Sequence, residues 1–271
     1  MDELKAPRPL AVVTGASSGI GYHLARCAAE HGYDLVVAAD TPLADAVLDF
    51  ESLGAKVQAV QADLATTEGV QHLVATIGER EVDALMANAG HGLGGSFLQQ
   101  DFAAILHVIN TNVTGTLHLM QQVARGMVAR GRGHILVTGS IAGFQPGAFH
   151  AVYNGSKAFV DSFAAAFRNE LKGTEVTVSC LMPGPTDTEF FVRAGMETTK
   201  VANDPKMMMQ PEDVARIGFQ AMLKGEADVV AGLRNKLQVA MSKVMPSQAT
   251  AQMHRKLAEP GTTEPTLQKE R

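Results

Sequence analysis

Several things are scarce in this chain, and each shortage removes a class of function. Only two of its 271 residues are cysteine, Cys27 and Cys180. They lie far apart, each inside an apolar segment, so no disulfide framework is expected and a reducing compartment is the simpler setting. No apolar run approaches the ~18 residues that a membrane-spanning helix needs. The opening "MDELKAPRPL" has no apolar core and does not read as a secretory signal. Together these features predict a cytoplasmic protein. No cluster of Lys and Arg marks a nucleic-acid surface, and the net charge is −5. The nine histidines show no H-E-x-x-H or similar spacing, so no metal site is expected.

What remains is 46% hydrophobic, enough for one sizeable core. Short apolar runs alternate with longer helical patterns. Strands are predicted at 10–15, 34–39, 56–61, 83–89, 134–140, 175–181 and 228–232. Helices are predicted at 19–31, 42–53, 67–79, 101–130, 151–172, 232–245 and 247–258. This alternation indicates crossover units and a parallel sheet. Several strands are apolar throughout, as when both faces of a sheet are covered. The interval 183–211 is irregular and contains four prolines. A long loop of that kind is expected to be functional, and its Phe and Met residues either line a substrate pocket or pack the loop onto the body.

"TGASSGIG" (14–21) follows the first strand and opens the first helix. Gly15 permits a tight turn, Gly19 lets backbone approach a phosphate, and Gly21 lets helix and strand pack closely. The helix N–H groups then face a pyrophosphate. "ANAG" (87–90) ends the fourth strand, where Asn88 and Gly90 suit a strand end close to a ligand. Asp63 in "ADL" is placed either to accept from an adenine amino group or to cap a helix.

Tyr153 and Lys157 in "AVYNGSKAFV" are four apart and share one helix face. The pair alone is a weak signal, with roughly 0.1 chance matches expected. Ser140, at the end of the fifth strand, strengthens it. A phenol with an ordinary pKa near ~10 is a poor base, and a neighbouring ammonium favours the phenolate. A serine hydroxyl can fix a substrate oxygen. Such a set moves a proton on or off that oxygen while hydride passes to or from a nicotinamide.

These residues, together with Asn112 in "NTNVTG" and Pro183-Gly184, resemble the short-chain dehydrogenase/reductase family along about 8–235. The resemblance implies a single α/β domain, a Rossmann-type doubly wound sheet of seven parallel strands, here with a C-terminal helical extension. It implies that Tyr153 is the acid/base, that Ser140 orients substrate, and that Lys157 holds the nicotinamide ribose and lowers the Tyr153 pKa. Asn112 would support a water-linked proton path, or bridge helix to strand structurally. Cofactor contacts are implied at Gly15, Ser17, Ser18, Gly19, Ile20 and Gly21, then at Asp40, Asp63 and Leu64. Others are implied at Asn88, Ala89 and Gly90, and at Pro183, Gly184, Thr186 and Thr188, besides Tyr153 and Lys157.

The expected activity interconverts a secondary alcohol and a ketone with a nicotinamide cofactor. A catalytically silent nucleotide-binding sensor or scaffold is the alternative, as is epimerisation or dehalogenation at the same site. A silent relative would have little reason to keep Asn112, Ser140, Tyr153 and Lys157 together. Asp40, just past the second strand, favours NAD(H) over NADP(H), since a carboxylate accepts from a ribose 2′-hydroxyl and repels a 2′-phosphate. No cation stands nearby in that segment or in the glycine-rich turn. The other role open to Asp40 is to cap a helix starting near Pro42. His91 and His150 flank the site in sequence and are candidate substrate contacts. The helices at 101–130 and 151–172 carry small residues and, by the resemblance, pair copies into a dimer or tetramer. Residues 1–258 read as one oxidoreductase domain, with a substrate loop at 183–210 and capping or interface helices at 232–258. Residues 259–271 read as a disordered tail.

Overall fold

The protein is described by a computed structural model over residues 8–242 and 244–264. Most of the opening segment that was read for a secretory signal lies outside the described residues, as does the tail from 265. Seven strands form one parallel sheet in the order β3-β2-β1-β4-β5-β6-β7. They are β1 (Leu10–Thr14), β2 (Asp34–Ala39), β3 (Val57–Gln61), β4 (Ala84–Ala87), β5 (Gly133–Thr138), β6 (Val176–Met182) and β7 (Asp228–Val230). The order reverses beside β1, and β1 pairs with β2 on one side and β4 on the other. That reversal opens a crevice at the carboxyl ends of the strands.

Successive residues of a strand face opposite sides, so β1 feeds two cores. Leu10 and Val12 pack with one layer, and Ala11 and Val13 with the other. This double burial is the physical reason for the continuous apolar runs. The edge strand β3 is different, with Gln58, Ala59 and Gln61 exposed and Val60 buried. One face is covered by α1 (Gly19–Glu30), α2 (Ala44–Ser52) and α9 (Pro211–Leu223). The other is covered by α3 (Thr67–Ile77), α5 (Thr116–Arg130) and α6 (Ala151–Glu170).

Three differences from the sequence reading matter. The single helix expected over 101–130 is α4 (Phe102–Ile109), a π-helical turn Asn110–Gly115, and α5. Such turns recur at functional sites, and this one carries Asn112. Helix α9 was not anticipated, although Pro211 at its first turn and the acidic Glu212 and Asp213 are regular start signals. The loop after β6 contains two short helices, α7 (Phe190–Arg193) and α8 (Lys200–Asn203). It is closed at its base by a bridge between Thr186 and Met209.

The C-terminal helices are α10 (Leu233–Ser242) and α11 (Ser247–Ala258), and α11 packs on α8. Residues 259–264, read as the start of a disordered tail, are tied to the loop. Gly261 N donates to Thr198 Oγ1 at 3.1 Å, and Asn203 Nδ2 donates to Thr263 Oγ1 at 2.9 Å.

Candidate active site

One cleft runs along the carboxyl edge of the sheet from the glycine-rich turn to α11. At its first end, Gly15 and Gly19 have φ of 66° and 57°, the left-handed region in which glycine is unstrained. A Cβ on Gly21 would lie 2.1 Å from the Gly15 carbonyl oxygen, so α1 can sit against the turn only because Gly21 has none. Gly15, Ser17, Ser18, Gly19 and Ile20 line the cleft. Gly21 is not among the lining residues, and its contribution is this packing rather than a ligand contact. Ser18, the N-cap of α1, makes no side-chain capping bond, and the first turn holds no acidic residue. The open N–H groups and positive helix end fit an anion such as a cofactor pyrophosphate.

Next to the turn is the pocket expected for the adenosine. Asp40 lines it, and Asp40 Oδ2 lies 3.1 Å from His91 Nε2. That hydrogen bond holds the Asp40 carboxyl below its ordinary pKa, with partial burial working against it. Asp40 does not cap α2, which begins later, at Ala44, with Leu43 before it. Asp63 and Leu64 also line the cleft. Asp63 Oδ1 accepts from Ala65 N at 2.9 Å and closes a turn, while the N-cap of α3 is Thr66. The sequence reading missed Arg193. Its Nη2 lies 3.5 Å from Ser18 Oγ and 2.8 Å from Glu189 Oε2. The expectation of no nearby cation held only within the two local segments. The fold brings this one in from 175 residues away, and no local pattern announces it.

Midway along the cleft, Asn88 ties three strand ends together. Its N and Nδ2 donate to the Thr14 hydroxyl and carbonyl at 2.9 and 3.1 Å, and its Oδ1 accepts from Thr138 Oγ1 at 3.0 Å. Ala89 N donates to the same Thr14 hydroxyl. Gly90 leaves room for two neighbours, since a Cβ there would lie 3.2 Å from Asn112 Oδ1 and 3.4 Å from Lys157 Nζ. Asn112 is buried and fully engaged. Its Oδ1 accepts from His91 N at 2.8 Å, and its Nδ2 donates to His91 O and Ser156 Oγ, each at 2.9 Å. It lies behind the cleft lining, and these bonds are those of a bridge from helix to strand end.

Ser140, Tyr153 and Lys157 line the cleft together. Ser140 Oγ accepts from Ala142 N and donates to Pro183 O at 3.4 Å. Lys157 is 4% exposed, and its Nζ donates to Thr138 O at 2.7 Å. Burial pushes the Tyr153 phenol up to about 12, with the Ser140 hydroxyl working the other way. The expectation that Lys157 lowers this pKa is therefore not met in this conformation. Its ammonium is held by the Thr138 carbonyl, 5.8 Å from the ring centroid, and burial is the largest influence on the phenol.

Asp161 is a second residue the sequence reading missed. It stands four residues after Lys157, on the same helix face as Tyr153 and Lys157, and that spacing was its signal. Its Oδ1 accepts from Ser140 N at 3.2 Å, so it fixes the backbone that carries the serine. Burial raises its pKa to about 6, opposed by the Lys157 charge.

The loop after β6 closes the cleft. Pro183, Gly184, Thr186 and Thr188 all line it. Pro183 O accepts from Ile141 N, and Thr188 Cγ2 would be 3.0 Å from a Cβ on Gly19. Phe190 covers Tyr153 with ring centroids 5.1 Å apart. On another side His150 stacks on Tyr153 at 4.4 Å with an interplanar angle of 16°. Among the described residues no group of His, Cys, Asp or Glu could hold a metal ion.

A family model described as short chain dehydrogenase matches residues 9–198. The chain belongs to the short-chain dehydrogenase/reductase family. It is thus an oxidoreductase by family, and the family uses NAD(P). An uncharacterized oxidoreductase of Myxococcus xanthus is 34% identical over 244 residues, covering 88% of this chain and 92% of that one. An NADP-dependent 3-hydroxy acid dehydrogenase of Salmonella typhi is 34% identical over 181 residues, covering 65% and 71%. A family structure from Burkholderia phymatum in complex with NAD superposes with a TM-score of 0.78 at 26% identity, covering 88% and 94%. One from Sphingobium yanoikuyae in complex with NADPH gives 0.77 at 29%, covering 89% and 97%. Among the described residues no helix is long and apolar enough to cross a membrane.

Proposed function

We propose that this short-chain dehydrogenase interconverts a secondary alcohol and a ketone, with Tyr153 as the acid/base and NAD(H) as the preferred cofactor. The observation that carries this reading is that Ser140, Tyr153 and Lys157 line one cleft with an anion-binding glycine-rich turn. A bound nicotinamide cofactor supplies or accepts the hydride. Tyr153 donates its phenolic proton to the carbonyl oxygen in reduction and recovers it in oxidation. Ser140 holds the same oxygen, and Asp161 holds Ser140. Lys157, which lines the cleft beside Gly90, would hold a cofactor ribose hydroxyl. Asn112 keeps Gly90, His91 and α6 in register.

Asp40 supports the NAD(H) preference. Arg193 is balanced by Glu189, and His91 bonds Asp40 rather than replacing it, so a 2′-phosphate would meet a carboxylate. Two unpaired cysteines suit the cytoplasm. Residues through 258 are taken as one catalytic domain. Phe102, Leu106 and Ile109 on α4 and Phe159 on α6 are exposed, and they support a homodimer or homotetramer built on these helices. Light scattering at micromolar concentration should show an oligomer, and a monomer would count against it. The test of the activity is a panel of ketones and secondary alcohols followed by nicotinamide absorbance. Turnover of some members is expected. Cofactor binding without turnover of any would favour a silent nucleotide-binding protein.

A further inference from the structure

At the far end of the cleft a buried imidazole is left unmatched. His150 is 5% exposed, yet its Nε2 has no hydrogen-bond partner among the described residues. Buried polar atoms are normally paired, so an unpaired one on a residue that lines the cleft points to a group the ligand brings. The imidazole is neutral, because burial pushes its pKa down to about 3, with the neighbouring His254 adding to the effect. A neutral imidazole offers one donor and one acceptor nitrogen and pairs with a carbonyl or a hydroxyl.

The protein spends backbone strain to hold this ring. Phe149, just before it, has φ of 62°, an unfavourable region for an aromatic residue. Helix α11 clamps the strained turn. His254 Nδ1 lies 3.0 Å from Ala148 O, and since a carbonyl can only accept, that nitrogen carries the proton. The Arg255 guanidinium lies 5.1 Å from the Phe149 ring centroid. Phe149 also packs with Met196, Phe191 and Ala258. The result is an imidazole stacked on the ring of Tyr153, one ring's thickness from the acid/base.

The charged side chains that line the cleft stand elsewhere. Asp40 and Asp63 are at the adenosine end, Glu189 and Arg193 pair beside Ser18, and Lys157 donates to Thr138. A carboxylate brought against His150 would lose water, and the cations near the turn are already engaged, Lys157 with the Thr138 carbonyl and Arg255 with Glu259 and the Phe149 ring.

We propose that this end of the cleft takes an uncharged, largely apolar ketone or alcohol that carries a second carbonyl or hydroxyl beside the reacting carbon, and that His150 positions it through that second group. The inference rests on the oxidoreductase reading above and names its substrate class. His150 is a positioning residue, since the proton moves through Tyr153.

Three probes separate the elements of this proposal: phenylpropanedione, with two adjacent carbonyls; propiophenone, with one; and benzoylformate, in which the second group is a carboxylate. Their affinities are measured by titration calorimetry on the full chain with the oxidised cofactor, a dead-end complex in which no turnover occurs. His150→Phe keeps the stack on Tyr153 and removes both nitrogens, and His150→Gln restores a donor and an acceptor. The diketone Kd should rise about tenfold in His150→Phe and recover in His150→Gln, while the propiophenone Kd changes by less than about threefold. With reduced cofactor, the loss should appear in KM more than in kcat. Benzoylformate should bind the wild type at least about tenfold more weakly than the diketone. Equal losses for diketone and monoketone, benzoylformate binding as tightly as the diketone, or no binding of the diketone by the wild type would each overturn the proposal. Intact binding differences without nicotinamide oxidation for any probe would uphold it and instead count against the oxidoreductase reading.

Discussion

At the cofactor end of the cleft, the walls are mostly backbone and small residues at the ends of paired strands: Gly15 and Gly19 after β1, Asn88 to Gly90 after β4, Ser140 after β5. At the substrate end the walls are side chains from four separate stretches, the turn before α6, the loop carrying α7 and α8, and helices α10 and α11. The first kind of wall is fixed by sheet register. The second depends on how loop and helix pack, on a strained Phe149, and on a histidine whose Nε2 has no partner among the described residues. The contrast explains how one fold can serve many reactions: the cofactor half is fixed by sheet geometry, and the substrate half is set by side chains outside the sheet.

Tyr153 stands where the two ends meet, so the largest effect is expected there. Tyr153→Phe keeps the ring against His150 and Phe190 and removes the oxygen. Turnover should fall by ~10²–10⁴-fold with cofactor affinity little changed, measured by steady-state kinetics and cofactor titration. Wild-type-like turnover would remove the junction from the account. Gly21→Val tests the backbone wall. Its side chain meets the Gly15 carbonyl, which cannot give way as a flexible side chain could. Cofactor affinity should drop by at least about tenfold, and unchanged affinity in a cofactor titration would show the wall to be softer than its geometry implies. Asp40→Arg sharpens the same end. The ratio of kcat/KM for NAD over NADP should move toward NADP by about tenfold, and a ratio that stays put would mean that Asp40 does not read the ribose.

The smallest effect is a pH dependence at the substrate end. The folded protein holds His150 at about 3, against 6.5 for the free side chain. Below 6.5 the unfolded chain takes up a proton that the folded chain refuses. The stability from the neutral imidazole is therefore full above 6.5 and declines as pH falls from 6.5 toward 3, at up to about 1.4 kcal/mol per pH unit. Wild type should lose more Tm than His150→Phe between about pH 7 and about pH 5. His254, also held low by burial, is present in both proteins, so the difference between them reports His150 together with its coupling to His254.

The same contrast governs what could be read from the sequence. All seven strands were legible, most of them because burial on two faces writes itself as an apolar run; the edge strand β3, with Gln58, Ala59 and Gln61 exposed, is the exception. The residues at strand ends were legible too, because Thr14 to Gly21 and Asn88 to Gly90 are contiguous. Asn112 was legible as a residue, and the π-helical turn that sets it against His91 was not, since the surrounding pattern continues the helix on both sides. Arg193 reaches Ser18 across 175 residues, and no local spacing reports such a contact. His150 was visible as a neighbour of Tyr153, but its stacking follows from the positive φ of Phe149 and from the grip of α11, which are tertiary facts. The Tyr153 pKa was misread for a related reason. Proximity to Lys157 is visible in an i, i+4 pair, whereas burial and the Thr138 carbonyl that holds the ammonium are visible only in the fold.

The central claim is that hydride passes between a nicotinamide and a carbonyl carbon beside Tyr153. The most direct test uses NADH deuterated at both positions of the nicotinamide C4, with phenylpropanedione as acceptor and product analysed by mass spectrometry. One deuterium on the new carbinol carbon is expected with the wild type, and almost none over the same time with Tyr153→Phe. Alcohol without deuterium, or equal labelling by the two proteins, would contradict the account.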